Sequence, residues 1–459
     1  MGLWRTSSRK SQKSSETSTP EDQSPDVHTP TSRQDPNLDR SLSRNDPAAS
    51  ARQANSEAWL AGHLHHLTPE QEASLQRFKQ LCEEKGYYTP AKEGEGEGKA
   101  THDDATLLRF LRARKFDVNA AFQQFKDTEE WRKDNKIEAL YENIDIESYD
   151  EARRMYPQWT GRRDRRGIPV YVFAIRHLDS KTMAAYTSKV SESTTAETHK
   201  SSTVPARLLR LFALYENLLR FVMPLCSQLP RANPETPIVS STNIVDVSGV
   251  GLRQFWNLKG HMQDASVLAT AHYPETLDRI FLIGAPSFFP TVWGWIKRWF
   301  DPVTTSKIFI LSADEVKPTL TSFMPPSSIP KKYGGELDWD WGDLPNLDEP
   351  ARELVGALQT PPADGKGKPG FLKGPVLFKG DKIEILGSED GKPRRQEIPV
   401  EKKSSSTSNA DIAAAAAAAD EAAAPTTNPL PSQDEDEKAA LEKEITDGAV
   451  SPPAATTTA

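Results

Sequence analysis

From Leu67 to Trp131 apolar residues return every three or four positions, and beyond Ile137 short apolar runs alternate with longer amphipathic stretches. The first pattern predicts helices that pack one face; the second predicts strands crossing to helices and back. Leu67, Leu75, Phe78 and Leu81 set a helical period within 57–86, and a Gly/Glu run at 93–98 follows as a linker. Thr101 and Asp104 stand three apart, a capping-box spacing, and open a helix with Leu107, Leu108 and Leu111 inward and Arg109 and Arg112 on another face. It stops in Arg114-Lys115-Phe116-Asp117, and the next helix runs from 118 to about 133 on Phe122, Phe125 and Trp131. The sum is a small all-helical unit at 56–136 with a basic edge, for which a solvated face is the plain reading.

The second region reads as strand 168–175, helix 208–225, strand 238–247, helix 252–272, strand 279–283, helix 290–300 and strand 307–311. Such alternation implies crossover units, hence an α/β domain with a mostly parallel sheet covered by helices, at 137–345. A Ser/Thr-rich stretch at 182–203 lacks a core period and reads as a surface insertion, in loop form or phosphorylated. Beyond the domain, 346–400 forms an extension with a short hairpin at 370–387. Residues 1–55 and 401–459 are low in apolar residues and read as disordered tails; the alanine run at 413–419 has helix propensity but no face to bury.

The 290–300 stretch is unusual. Phe288, Phe289, Val292, Trp293, Trp295, Ile296, Trp299 and Phe300 surround it on nearly every side, with only Lys297 and Arg298 charged. Pro290 suits its first turn, Asp301-Pro302 stops it, and Gly294 inside costs about 1 kcal/mol relative to Ala. At about 16 Å it is too short to span a bilayer. It is therefore a helix buried all round, or a lid exposed at times to something apolar.

Composition narrows the function. Net charge is -8, but 401–459 holds 11 acidic and 4 basic side chains, so the remainder is near neutral and no nucleic-acid partner is implied. Two cysteines, Cys82 and Cys226, fit a reducing compartment rather than a disulfide framework. The start Met1-Gly2 with Thr6 fits a myristoylation pattern, with Arg5, Arg9, Lys10 and Lys13 nearby; an unmodified basic tail fits equally. His63, His65 and His66 lack partners at metal-ligand spacing and read as solvated, so no metal is assigned. No hydrolase elbow, zinc-protease motif or P-loop occurs, and Gly249-Val250-Gly251 lacks the third glycine of a dinucleotide fingerprint, so neither an enzyme nor a cofactor is expected.

The segments THDDATLLRFLRARKFDV, STNIVDVSG, AHYPETLDRIFLIGAP and KRWFDPVTTSKIFIL, followed by IPKKYGG, resemble the CRAL-TRIO lipid-exchange fold of fungal phosphatidylinositol/phosphatidylcholine transfer proteins. The resemblance covers 101–335. It implies a helical N-terminal domain beside an α/β lipid pocket, with the 288–300 helix as a movable gate over acyl chains. It further implies that Arg114, Lys115, Glu275 and Lys297 bind an inositol phosphate head and that Ser241 holds the lipid phosphate, with Asn243 where the family pattern has threonine. Tyr171 and Tyr215 would line the pocket in a phosphatidylcholine mode. The implied protein is a non-enzymatic monomer that carries phosphatidylinositol, with phosphatidylcholine or another hydrophobic ligand in exchange. It would be cytoplasmic and peripheral on Golgi or endosomal membranes, meeting a membrane surface transiently. The alternative is a lipid-sensing scaffold that stimulates phosphoinositide synthesis by presenting lipid to a lipid kinase.

Overall fold

The computed structural model describes residues 57–91, 98–191, 202, 204–297, 305–361 and 368–400. Both expected tails, half of the Ser/Thr-rich stretch and the end of the 290–300 helix lie outside the described residues.

Three helices form the N-terminal unit: α1 (Pro69–Glu84), α2 (Asp104–Ala113) and α3 (Val118–Asp134). A capping box starts α1, where Thr68 and Gln71 satisfy each other's backbone N–H. At α2 the cap is Asp103, which accepts from the Thr106 N–H at 2.7 Å. The expected box at Thr101 is not used, because the Thr101 hydroxyl accepts from Thr89 N instead, at 3.1 Å. Leu75, Phe78, Leu107, Leu108, Leu111 and Phe125 share one core, with Phe125 edge-on to Phe78 and Phe110. Two expectations fail here. Trp131 faces the α/β domain, where its indole stacks on His272 at 4.1 Å. Arg109 and Arg112 do not make a solvated edge: Arg109 is buried and donates to the Pro274 carbonyl, and Arg112 pairs with Glu275 at 3.0 Å.

Short helices α4 (Ile137–Asn143) and α5 (Ile146–Arg153) lead into a five-stranded sheet. Its strands are β1 (Gln158–Arg163), β2 (Pro169–Ala174), β3 (Ser241–Asp246), β4 (Leu277–Ile283) and β5 (Ile308–Leu311), lying in that spatial order. β1 and β2 are antiparallel and all other pairs are parallel, in agreement with the expected class. Alternation sorts the side chains by face. Val172, Ile244, Phe281 and Phe309 pack on α11 (Ala313–Phe323) through Leu320 and Phe323. Phe173, Val245, Ile280 and Leu282 face the opposite way, toward helices α6 (Ser180–Ser191), α7 (Ala206–Asn217), α9 (Leu252–His272) and α10 (Phe289–Ile296).

The apolar stretch expected as one helix at 208–225 is instead α7, a π-helical turn at Leu218–Val222, and α8 (Met223–Gln228). Pro224 has no N–H to give to the carbonyl four residues back, and the widened turn precedes it. The Ser/Thr-rich stretch begins as α6 rather than a loop. Asp179 accepts from Thr182 N at its start, and Tyr186 and Val190, one turn apart, are buried. The extension holds α12 (Glu349–Val355) and an antiparallel sheet of β6 (Val376–Phe378), β7 (Lys382–Ile385) and β8 (Gln396–Pro399), one strand more than the expected hairpin. Leu347, Val355, Val376, Ile383 and Ile385 share a core with Trp159, Phe221 and Cys226, so the extension is packed into the α/β domain.

Candidate functional site

On the helix-covered face of the sheet, Tyr171, Asn243 and Ile280 are register neighbours across the three inner strands. Inner-strand positions under helices are normally closed, yet all three are only half-buried. The sheet face is not fully sealed there. Tyr215, on the facing α7, stacks on Tyr273 at 4.7 Å, and its phenol is pushed up to about 12 by burial. Burial likewise raises the Tyr171 phenol well above its ordinary value. Both tyrosines are therefore neutral groups beside this opening.

One end of the face is polar. The Asn243 amide donates to Ser241 Oγ at 3.0 Å, and the Ser241 hydroxyl donates to the Thr276 carbonyl at 3.2 Å. The next residue back, Glu275, adopts a left-handed backbone at φ 57°, which turns its carboxylate toward α2. It accepts from Arg112 at 3.0 Å and pairs with Lys307 at 3.4 Å. Burial favours the protonated acid, but the Lys307 and Arg112 charges outweigh it and hold the Glu275 pKa below the carboxylate range.

Arg114 and Lys115 occupy the tight stop after α2, with Lys115 and Phe116 both at positive φ. Their side chains are exposed and make no ion pair among the described residues; the same holds for Lys297 just past α10. The structure thus puts Ser241 and Asn243 in hydrogen-bond contact, with Ser241 bonded to the carbonyl of the residue that follows Glu275. It leaves Arg114, Lys115 and Lys297 without partners among the described residues. Arg112 and Lys307 were missed as site residues. Each lies inside a motif already singled out, Arg112 two positions before Arg114 and Lys307 at the head of β5.

A further correction concerns His63, which is not solvated. The segment before α1 lies over this cluster: the Gly62 Cβ direction meets the Phe116 ring, and the His63 ring is edge-on to Trp59 at 5.9 Å. Burial and the Arg112 charge lower the His63 pKa to about 4.

The α10 helix closes the other side. Phe289 and Val292 are buried, and Trp293 stacks on Phe289 at 6.2 Å, while Phe288 is half-exposed. The side chains of Trp295 and Ile296, and the whole of Trp299 and Phe300, lie outside the described residues. No helix among the described residues is long and apolar enough to cross a membrane.

This architecture can be set beside known proteins. The CRAL/TRIO domain model matches residues 153–335, and the CRAL/TRIO N-terminal domain model matches 74–127. The SEC14 cytosolic factor of Kluyveromyces lactis is 32% identical over 279 residues, spanning 61% of this chain and 82% of that protein. This chain belongs to the CRAL/TRIO family. An Arabidopsis thaliana relative named phosphatidylinositol/phosphatidylcholine transfer protein SFH7 is 33% identical over 236 residues, which is 51% of this chain and 40% of that protein. The solved structure of Sfh5 aligns with a TM-score of 0.43 and 16% identity over 60% of this chain and 89% of that one. The CRAL/TRIO match runs from the end of α5 to just beyond α11, so the packed extension at 346–400 lies outside it.

Proposed function

We propose that this chain is a non-catalytic phospholipid exchange protein that carries phosphatidylinositol, with phosphatidylcholine or another hydrophobic ligand as exchange partner. The observation that carries this is the juxtaposition of a half-open sheet face with a cation cluster at its polar end. Two acyl chains of roughly 30 methylenes would cost on the order of 25 kcal/mol in water, so a carrier needs an apolar container. The face bearing Tyr171, Asn243 and Ile280 under α7, α9 and α10 supplies one.

At the polar end Glu275 holds Arg112 and Lys307 in place and offsets their charge. That leaves Arg114, Lys115 and Lys297 as exposed cations for an inositol phosphate head, and Ser241 with Asn243 as donors for the lipid phosphate. Tyr171 and Tyr215 would flank the second ligand. The α10 helix, with Phe289, Val292 and Trp293 turned inward, acts as the gate that opens where a membrane replaces water, together with Phe288, Ile296, Trp299 and Phe300. On this reading residues 56–136 and 137–345 are the lipid-binding unit, 346–400 braces it and the tails lie outside it. The protein works in the cytoplasm and at membrane surfaces.

Lipid extraction and mass spectrometry of the protein purified from eukaryotic cells should yield phosphatidylinositol and a second lipid at stoichiometric levels. Protein free of phospholipid that also fails to take it up from vesicles would overturn the reading.

A further inference from the structure

The segment 57–66 lies ahead of the part matched by the CRAL/TRIO N-terminal domain model, which begins at residue 74. It is nevertheless anchored on both the helical unit and the α/β domain. A turn of 3-10 helix at Glu57–Leu60 buries Leu60, which is 1% exposed, and the Arg166 guanidinium lies over the Trp59 ring at 5.2 Å. Arg166 is itself fixed by Asp164 and Asp278. Gly62, at φ 75°, passes so close to α2 that a Cβ there would lie 3.4 Å from the Phe116 ring and 3.7 Å from the Arg112 side chain. Further along, the Leu64 carbonyl accepts from the Thr236 hydroxyl at 3.4 Å. His63 is therefore held beside Arg112 and the tight stop that carries Arg114 and Lys115.

One contact fixes its tautomer. The Leu60 carbonyl can only accept, and it lies 3.1 Å from His63 Nδ1. Nδ1 thus carries the proton, and Nε2 keeps its lone pair. With its pKa lowered to about 4 by burial and by Arg112, the ring is neutral at neutral pH. Nε2 makes no hydrogen bond among the described residues, and the ring is half-buried rather than sealed.

An acceptor in this position complements its surroundings. Arg112, Arg114, Lys115 and Lys307 are donors only, which suits a phosphate. The hydroxyls of an inositol ring are donors too and need acceptors as well. Glu275 Oε2 is already taken by Arg112 and Lys307. A choline head has no O–H or N–H to give, so an unengaged neutral acceptor discriminates between the two heads.

We propose that His63 is a specificity-determining residue of the head-group site, its Nε2 accepting a hydroxyl of the inositol ring and so favouring phosphatidylinositol over phosphatidylcholine. The proposal rests on the exchange-protein reading and adds to it a residue from outside both matched domains.

The test incubates the full chain with phosphatidylcholine vesicles that contain phosphatidylinositol. After vesicle removal the two lipids bound to the protein are quantified by mass spectrometry, and Tm is recorded. His63→Asn keeps an amide donor near the Nδ1 position for the Leu60 carbonyl and removes Nε2, whereas His63→Gln reaches as far as Nε2 with an amide oxygen. His63→Asn lowers the ratio of phosphatidylinositol to phosphatidylcholine about fivefold, the worth of one hydrogen bond, and His63→Gln keeps it within about twofold of wild type. A merely structural role would lower Tm and the uptake of both lipids together. An unchanged ratio in His63→Asn, or a ratio lowered equally in both variants, overturns the assignment and leaves the exchange reading standing. If His63→Asn binds neither lipid, His63→Gln decides alone: a ratio like that of the wild type supports the assignment and a lower one overturns it. No phosphatidylinositol uptake by the wild type overturns both.

Discussion

Breaking the Arg132–Glu216 pair should loosen the join between the N-terminal helices and the α/β domain. Arg132, near the end of α3, donates Nη1 and Nη2 to the two Glu216 oxygens of α7 at 2.6 and 2.9 Å, and the Tyr273 hydroxyl adds a third bond at 2.9 Å. Glu216 is 1% exposed. Burial alone would push its carboxyl up, but Arg132 first, then Arg220 and Tyr273, hold it below the ordinary range. Among the described residues, Glu216→Ala leaves Arg132 with Glu129 alone as an acidic partner, 4.0 Å away. Removing one partner of a buried pair costs about 3 to 5 kcal/mol, whereas replacing both by apolar groups of similar volume is often close to neutral. The assay is a double-mutant cycle by urea and thermal unfolding. Glu216→Ala should lower stability by about 3 to 5 kcal/mol and Tm by roughly 4 to 8 °C. Arg132→Met with Glu216→Leu should return to within about 2 kcal/mol of wild type. A double variant as unstable as the sum of its parts would refute the pairing argument.

Two further outcomes follow from local chemistry. His261 and His272 are lowered to about 4, mainly by burial, with Arg207 acting on the first and Arg132 on the second. Their unfolded forms titrate near 6.5, so the unfolded chain binds protons first, and this stability is present above about 6.5 and lost as pH falls toward 4. Glu216, Glu275 and Asp278 have depressed values, so their contribution is lost at lower pH still. The urea midpoint should therefore fall steadily from about pH 7 to 4, less steeply in His272→Phe, and a flat profile would contradict the burial argument. In α10, a Cβ on Gly294 meets nothing within 4 Å. Gly294→Ala should stiffen the gate by about 1 kcal/mol, raise Tm slightly and slow lipid exchange; faster exchange would argue against α10 as the moving part.

Strands β2 to β5 were legible because they are dense apolar runs, IPVYVFAI and IFLI among them, and only a parallel arrangement lets helices return between them; the antiparallel β1, QWTGRR, has no such run and was missed. The α10 start was legible from Pro290. What periodicity could not show was which partner a face meets. Trp131 shares a helix stripe with Phe125, yet turns to His272 in the other domain. Arg109 looked like surface charge because burial of an arginine depends on a carbonyl, Pro274, 165 positions away. The extension read as a hairpin because its strands are only three or four residues long, and their packing on Phe221 and Cys226 has no local signal. Motif matching found Glu275 but not Lys307, whose role is visible only once the two meet at 3.4 Å.

Vesicle-to-vesicle transfer of radiolabelled phosphatidylinositol by the full chain is the most direct test. The account predicts transfer by the wild type and, in Lys115→Ala with Lys297→Ala, a loss on the order of 100-fold, since two exposed cations each supply charged hydrogen bonds to the head group. Transfer that is unchanged in the double variant would contradict the head-group assignment, and no transfer by the wild type would contradict the function itself.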